Sequence, residues 1–232
     1  MNAPYISIAS HDGQAFDAYL ALPPKGTGPG LVLIQEIWGV NAHIRAVADQ
    51  YALDGYVVLA PDMFWRQKPG VDLQYTEADT KLAYQYMNQL DAGHAVHDLV
   101  ATAQALRARA DVTGGVGSVG FCMGGRLSYA LAASGATDAA VCYYGGRIQE
   151  HLDLAARIQV PILFHYAALD DHIPPAAVQA VQGAFAGRSN AQFHVYPGVG
   201  HGFNCWGRPM FNQRAAALAR GRSLQFLAEA LG

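Results

Sequence analysis

Charge is scarce in this chain. Only 14% of its residues are charged against 52% hydrophobic, and the net charge is -3 at pH 7. That balance excludes an intrinsically disordered chain and provides no long-range attraction to nucleic acid or an anionic membrane. Long apolar runs are also missing: no stretch of 18 residues lacks charge and turn residues, so no spanning helix is expected. The start, Met1-Asn2-Ala3-Pro4-Tyr5, has neither the basic nor the apolar segment of a secretory leader. Cysteine is sparse, and Cys122, Cys142 and Cys205 form neither an even framework nor a C-x-x-C pair. A reduced, cytoplasmic protein is the expectation. Internal repeats, low-complexity tracts and linkers are absent too. Residues 1–232 are therefore read as one domain, long enough to bury a sizeable core.

What is present is an alternation of apolar, β-branched runs with longer amphipathic segments. The runs predict strands over 5–9, 15–22, 31–35, 56–60, 116–121, 139–144, 162–167 and 192–196. The amphipathic segments predict helices near 43–53, 77–89, 94–108, 125–133, 176–186 and 210–230. The first two strands alternate as an antiparallel hairpin does, with Asp12-Gly13 as its turn. Later runs are continuously apolar, as in a parallel sheet covered by helices on both faces. The fold class is α/β, doubly wound and mostly parallel.

One junction in that pattern carries chemistry. Val116-Gly117-Ser118-Val119-Gly120-Phe121 leads into Cys122-Met123-Gly124-Gly125, and a helical pattern follows. Strand, sharp turn and helix form the setting of the G-x-S-x-G nucleophile elbow, here with Cys122 in place of serine. The turn places sulfur at the positive end of a helix, which favours a thiolate. Such a nucleophile needs a base, and the base needs an orienting group; in this architecture both follow it in chain order, acid and then histidine. Asp170 and Asp171 follow the 162–167 strand and compete for the acid role, Asp171 doubling as a cap ahead of Pro174-Pro175. His201 follows the last strand between Gly200 and Gly202. Cys142 lies inside an apolar run and reads as core, whereas Cys205 is ambiguous. Leu33-Ile34-Gln35-Glu36-Ile37-Trp38 lies where this architecture puts its second oxyanion donor, so the Ile37 and Met123 amides are the candidate pair. Glu36, a carboxylate in an apolar run, is either buried and functional or a surface loop residue. His94, His97 and Asp98 hint at a metal, but no third ligand has suitable spacing, and a solvated helix face is the reading. No metal or cofactor is expected.

Together Gln35 to Asn41, Ala60-Pro61-Asp62, Gly120 to Gly125, Asp170 to Pro174 and Gly200-His201-Gly202-Phe203 resemble the dienelactone hydrolase family (carboxymethylenebutenolidases). The resemblance spans roughly residues 5 to 230. It implies an α/β-hydrolase fold, a triad of Cys122, His201 and Asp170, and hydrolysis of an enol-lactone in aromatic catabolism. By the same similarity Glu36 contacts the resting thiol and moves when substrate binds. The acyl-enzyme is then released by water that His201 activates.

The chain departs from the family pattern at the substrate clamp. The resemblance implies two arginines on a substrate carboxylate, one near Thr80-Lys81 and one at Cys205. Lys81 replaces the first as a point charge, and Arg208 lies close to the second. Tyr84 matches a pocket tyrosine, Met87 stands where the family has tryptophan, and Tyr144 and Phe203 are further candidate wall residues. The expected protein is a monomeric hydrolase of small lactones or esters. The rival expectations are an esterase or thioesterase for uncharged substrates, a peptide-like hydrolase, and a non-catalytic thiol sensor built around Cys122.

Overall fold

In the computed structural model, which describes residues 4–232, the hairpin turn closes with the Ser10 amide 2.8 Å from the Gln14 carbonyl. Of the Met1 to Tyr5 segment weighed for a secretory leader, residues 1–3 lie outside the described residues. The hairpin joins β1 (Tyr5–Ala9) to β2 (Ala15–Ala21) in antiparallel register. β3 (Gly28–Ile34), α1 (Ala42–Leu53) and β4 (Val57–Pro61) come next, then α2 (Glu77–Gln89) and α3 (Ala92–Arg107). β5 (Val112–Phe121), α4 (Met123–Ser134) and β6 (Ala139–Tyr143) carry the chain to two short 3-10 turns, Ile148–Glu150 and Leu152–Arg157. β7 (Ile162–Ala167), α5 (Pro175–Ala184), β8 (Ala191–Tyr196) and α6 (Gln213–Leu231) complete it.

The eight strands form one sheet in the order β1-β2-β4-β3-β5-β6-β7-β8. β2 pairs antiparallel with both neighbours, and the remaining pairings are parallel. Successive side chains of a strand point to opposite faces, and in the central strands both faces are buried. Leu31 and Leu33 join the core with Ile44, Val47 and Tyr51 of α1 and Ala219 and Leu227 of α6. Val32 and Ile34 join the opposite core with Leu99, Ala103 and Leu106 of α3. That is why the central strands read as continuous apolar runs rather than alternating ones. Among the described residues no helix is long and apolar enough to cross a membrane.

Three boundaries differ from the expected ones by three residues or more, β3 starting at Gly28 rather than Leu31 among them. β5 starts at Val112, four residues earlier than the apolar run, because Val112 pairs with Gly28 and the Thr113-Gly114-Gly115 stretch after it, where the register shifts, carries no hydrophobic signal. α6 starts at Gln213 rather than Met210, where the Asn212 side chain accepts the Ala215 amide as a cap. Asp171 is exposed and caps nothing; α5 begins after Pro174 without a side-chain cap.

Candidate active site

The elbow is built by close backbone approach. A Cβ on Gly120 would run into the Gly124 carbonyl, and one on Gly124 into the carbonyls of Ile34 and Gln35. With both lacking Cβ, α4 starts directly over the ends of β5 and β3. Cys122 takes φ 56 and ψ -115, a conformation that costs a non-glycine residue on the order of 1–3 kcal/mol. Its amide donates to the Tyr143 carbonyl at 3.0 Å, and its carbonyl accepts the Gly125 and Arg126 amides at 3.0 and 3.3 Å. The strained turn is thus held from both sides, and the sulfur is left half-buried.

The other two predicted members arrive on the loops after β7 and β8. Asp170 is buried and divides its carboxylate: Oδ1 accepts the His172 and Ile173 amides at 2.8 and 3.1 Å, and Oδ2 lies 2.8 Å from His201 Nδ1. Asp170, not Asp171, therefore meets the histidine. The His201 ring packs edge-on to Tyr144 and to His172, with centroids 5.0 and 4.9 Å apart. Burial disfavours its charged form, yet the negative charge of Cys122 and the bond to Asp170 outweigh that, raising its pKa to about 10. The ring thus keeps its proton at neutral pH.

Cys122 and His201 open into a cavity of about 240 Å³ shared with Ile37, Trp38, Met123, Tyr84, Met87 and Arg208. Both candidate oxyanion residues line it. A larger hollow of about 350 Å³ lies by Arg45, Trp65 and Val71 and contains no member of this set. Trp65 and residues Pro69 to Asp72 of the loop before α2 line that hollow.

Glu36 is buried with 2% of its surface exposed, and neither carboxylate oxygen has a hydrogen-bond partner among the described residues. The resting contact with Cys122 implied by the family resemblance is not made. Oε1 lies 3.8 Å from Arg208 Nη1, an opposite charge that attracts it in this buried, low-dielectric pocket. Burial pushes the Glu36 carboxyl up, against the opposing pull of Arg208 and then His201. Arg208 itself stacks over Trp38 at 4.6 Å. Beneath this pair the Cys205 thiol donates to the Tyr75 hydroxyl at 3.2 Å, and burial, then Glu36, pushes that thiol up to about 12. Cys142 is fully buried in β6, as expected.

Three expected wall residues lie elsewhere. Lys81 has 73% of its side chain exposed and bonds Glu77 at 2.7 Å one helical turn back, so α2 turns Tyr84 and Met87 to the cavity instead. Tyr144 and Phe203 are fully buried under His201, packed on each other at 5.4 Å, and support the ring from below. Conversely, Arg126, Arg147 and His172 line the cavity without having been singled out. Arg126 was findable: four residues past Cys122 is one helical turn, hence the same end of α4. Away from the cavity, the hairpin brings His11 and Asp12 to His94, with donor atoms within 4.8 Å of one another. This cluster shares only His94 with the residues weighed in the sequence, and its Asp12 is already bound at 2.5 Å by Arg66.

A mostly parallel sheet, a thiol on a strand-to-helix elbow and an Asp-bonded histidine after the last strand define an α/β-hydrolase. The model of the dienelactone hydrolase family matches residues 16–231. Carboxymethylenebutenolidases of Pseudomonas putida and Pseudomonas knackmussii are each 36% identical over 224 residues, 96% of this chain and 95% of theirs. A solved structure from Klebsiella pneumoniae, named provisionally as a dienelactone hydrolase, superposes with a TM-score of 0.86 at 28% identity, over 97% of this chain and 98% of that one. The chain belongs to the dienelactone hydrolase family, and it is a hydrolase of lactones or carboxylic esters.

Proposed function

We propose that Cys122 is the nucleophile of this hydrolase, that His201 moves the protons and that Asp170 fixes the orientation of His201. The observation that carries this reading is the shared cavity wall: the elbow sulfur and a ring bonded to Asp170 at 2.8 Å line one 240 Å³ space. The thiolate adds to the substrate carbonyl, and the oxyanion is met by the Ile37 and Met123 amides, whose residues border the cavity. Collapse of the adduct expels the enolate or alkoxide, and the His201 imidazolium gives it a proton. The ring, now neutral, takes a proton from water as it attacks the thioester, and the acid leaves. Glu36 modulates the cycle through Arg208 rather than by touching the resting sulfur. Tyr84 and Arg208 contact substrate. We further propose an enol-lactone of aromatic breakdown as the natural substrate, by analogy with the carboxymethylenebutenolidases. Residues 1–232 act as one domain, as a monomer in the reducing cytoplasm, where three unpaired cysteines persist.

The test is hydrolysis of p-nitrophenyl acetate and of cis- and trans-dienelactone by wild type and Cys122→Ala side by side. The mechanism expects turnover by the wild type only. Wild-type-like turnover by the variant overturns it, and ester turnover without lactone turnover removes the proposed substrate.

A further inference from the structure

The reacting cavity has a neighbour. A second cavity of about 430 Å³ lies between the start of α3, the outer side of α4 and the 3-10 segment after β6. Much of its wall is apolar, including Leu90, Val96, Leu127 and Leu154. Met87, Arg126 and Arg147 belong to the walls of both cavities. The two cavities therefore share three long, rotatable side chains in their walls. A methionine yields easily to a ligand, and among the described residues no hydrogen bond or carboxylate holds the Arg126 guanidinium in place. Arg147, by contrast, carries its own counter-ion in Glu150 at 2.8 Å.

Arg126 is thus a half-buried cation without a partner, one helical turn from the nucleophile. Burial and, next, the nearby charge of Arg147 both weaken its hold on its proton, a cost that an incoming anion would relieve. Four residues of α-helix span about 6 Å. An anionic group three or four bonds from a carbonyl at Cys122 falls within reach of Arg126.

We propose that the second cavity is a substrate subsite, so that the protein takes anionic esters or lactones whose carboxylate pairs with Arg126 and whose apolar remainder passes Met87 into the 430 Å³ compartment. This rests on the reading of Cys122 as nucleophile and adds the shape of the substrate to it. Small lactones fill only the first cavity.

The test has a binding arm and a turnover arm. Calorimetry on Cys122→Ala compares succinate with 2-hexylsuccinate, neither of which can be hydrolysed. The proposal expects the hexyl compound to bind at least tenfold tighter. It also expects Ala130→Trp, which fills the second cavity, to erase that advantage. Arg126→Ala weakens both ligands and Arg126→Lys restores part of the loss, which guards against misfolding of the tryptophan variant. Equal binding of the two ligands overturns the subsite whatever the chemistry. Turnover of p-nitrophenyl acetate, mono-p-nitrophenyl succinate and its 2-hexyl derivative is then ranked in the wild type. The expected order of kcat/KM rises along that series, chiefly through KM, and a flat series overturns the proposal. Tight hexyl binding without Cys122-dependent turnover of any ester sinks the mechanism and leaves the subsite standing.

Discussion

Glu36 and Arg208 come within 3.8 Å of each other in a buried pocket, yet neither Glu36 oxygen completes a hydrogen bond among the described residues. A carboxylate so placed destabilises the fold whenever it is charged, because burial raises its pKa above the unfolded value of 4.5. Between 4.5 and the folded value the native state binds the extra proton, so the penalty is absent at lower pH and grows as pH rises. Glu36→Gln is expected to be more stable than wild type at pH 7 by about 1–3 kcal/mol. The gain should vanish below about pH 4.5, and activity should fall. Chemical denaturation at pH 4 and pH 7 measures it; equal stability at both removes the argument.

Asp170 serves two partners with its two oxygens. In Asp170→Asn the remaining carbonyl oxygen can still accept the His172 and Ile173 amides, but the amide no longer fixes the His201 tautomer. The expected outcome is a near-native melting temperature with kcat lowered on the order of 10³–10⁴-fold. In Asp170→Ala the loop bonds are lost too, and about 1–3 kcal/mol of stability goes with them. A catalytic loss without the split in stability would show that the loop does not need the carboxylate.

His201 is raised from 6.5 to about 10, with burial opposing the shift and Cys122 and Asp170 driving it. A ring whose folded value lies above its unfolded one stabilises the protein fully below 6.5, and that contribution is lost as pH climbs through about 10. NMR of the imidazole should find its midpoint well above neutral in the wild type. In Cys122→Ala the partner charge is gone and the midpoint should move down. An unmoved midpoint would mean that Asp170 alone holds the proton.

The same substitution should have opposite signs at two glycines. A Cβ at Gly125 would lie 2.6 Å from the Tyr143 carbonyl oxygen, which belongs to the backbone and cannot step aside. Gly125→Ala is expected to cost about 3 kcal/mol or more and to abolish activity. Gly221 is exposed inside α6 with nothing within 4 Å of its Cβ position. Gly221→Ala should raise stability by about 0.5–1 kcal/mol and leave turnover alone. Thermal unfolding of the pair decides both.

The legible features were those set by local pattern. Buried parallel strands read as apolar runs, and the elbow, Asp170 and His201 each sit just past one. Glu36 could be flagged as an odd carboxylate in an apolar run, but its neighbour Arg208 is 172 positions away and no local rule links them. Lys81 misled because charge type says nothing of direction: solvent and Glu77 claim it first. Tyr144 and Phe203 resemble pocket aromatics in sequence, and only the layering of loops over the sheet buries them. The start of β5 was hidden by Gly114-Gly115, whose lack of side chains lets the C-terminal end of α6 lie against them.

The three cysteines differ in surroundings: Cys122 is half-buried, Cys142 lies inside the sheet and Cys205 is buried in the loop after β8 against Tyr75. A small alkylating reagent should therefore take one equivalent from the native chain and three once it is denatured. On slow warming, reaction at Cys205 before Cys142 would report that the loops lift away before the strands separate. The chain carries its own record of the order in which it comes apart.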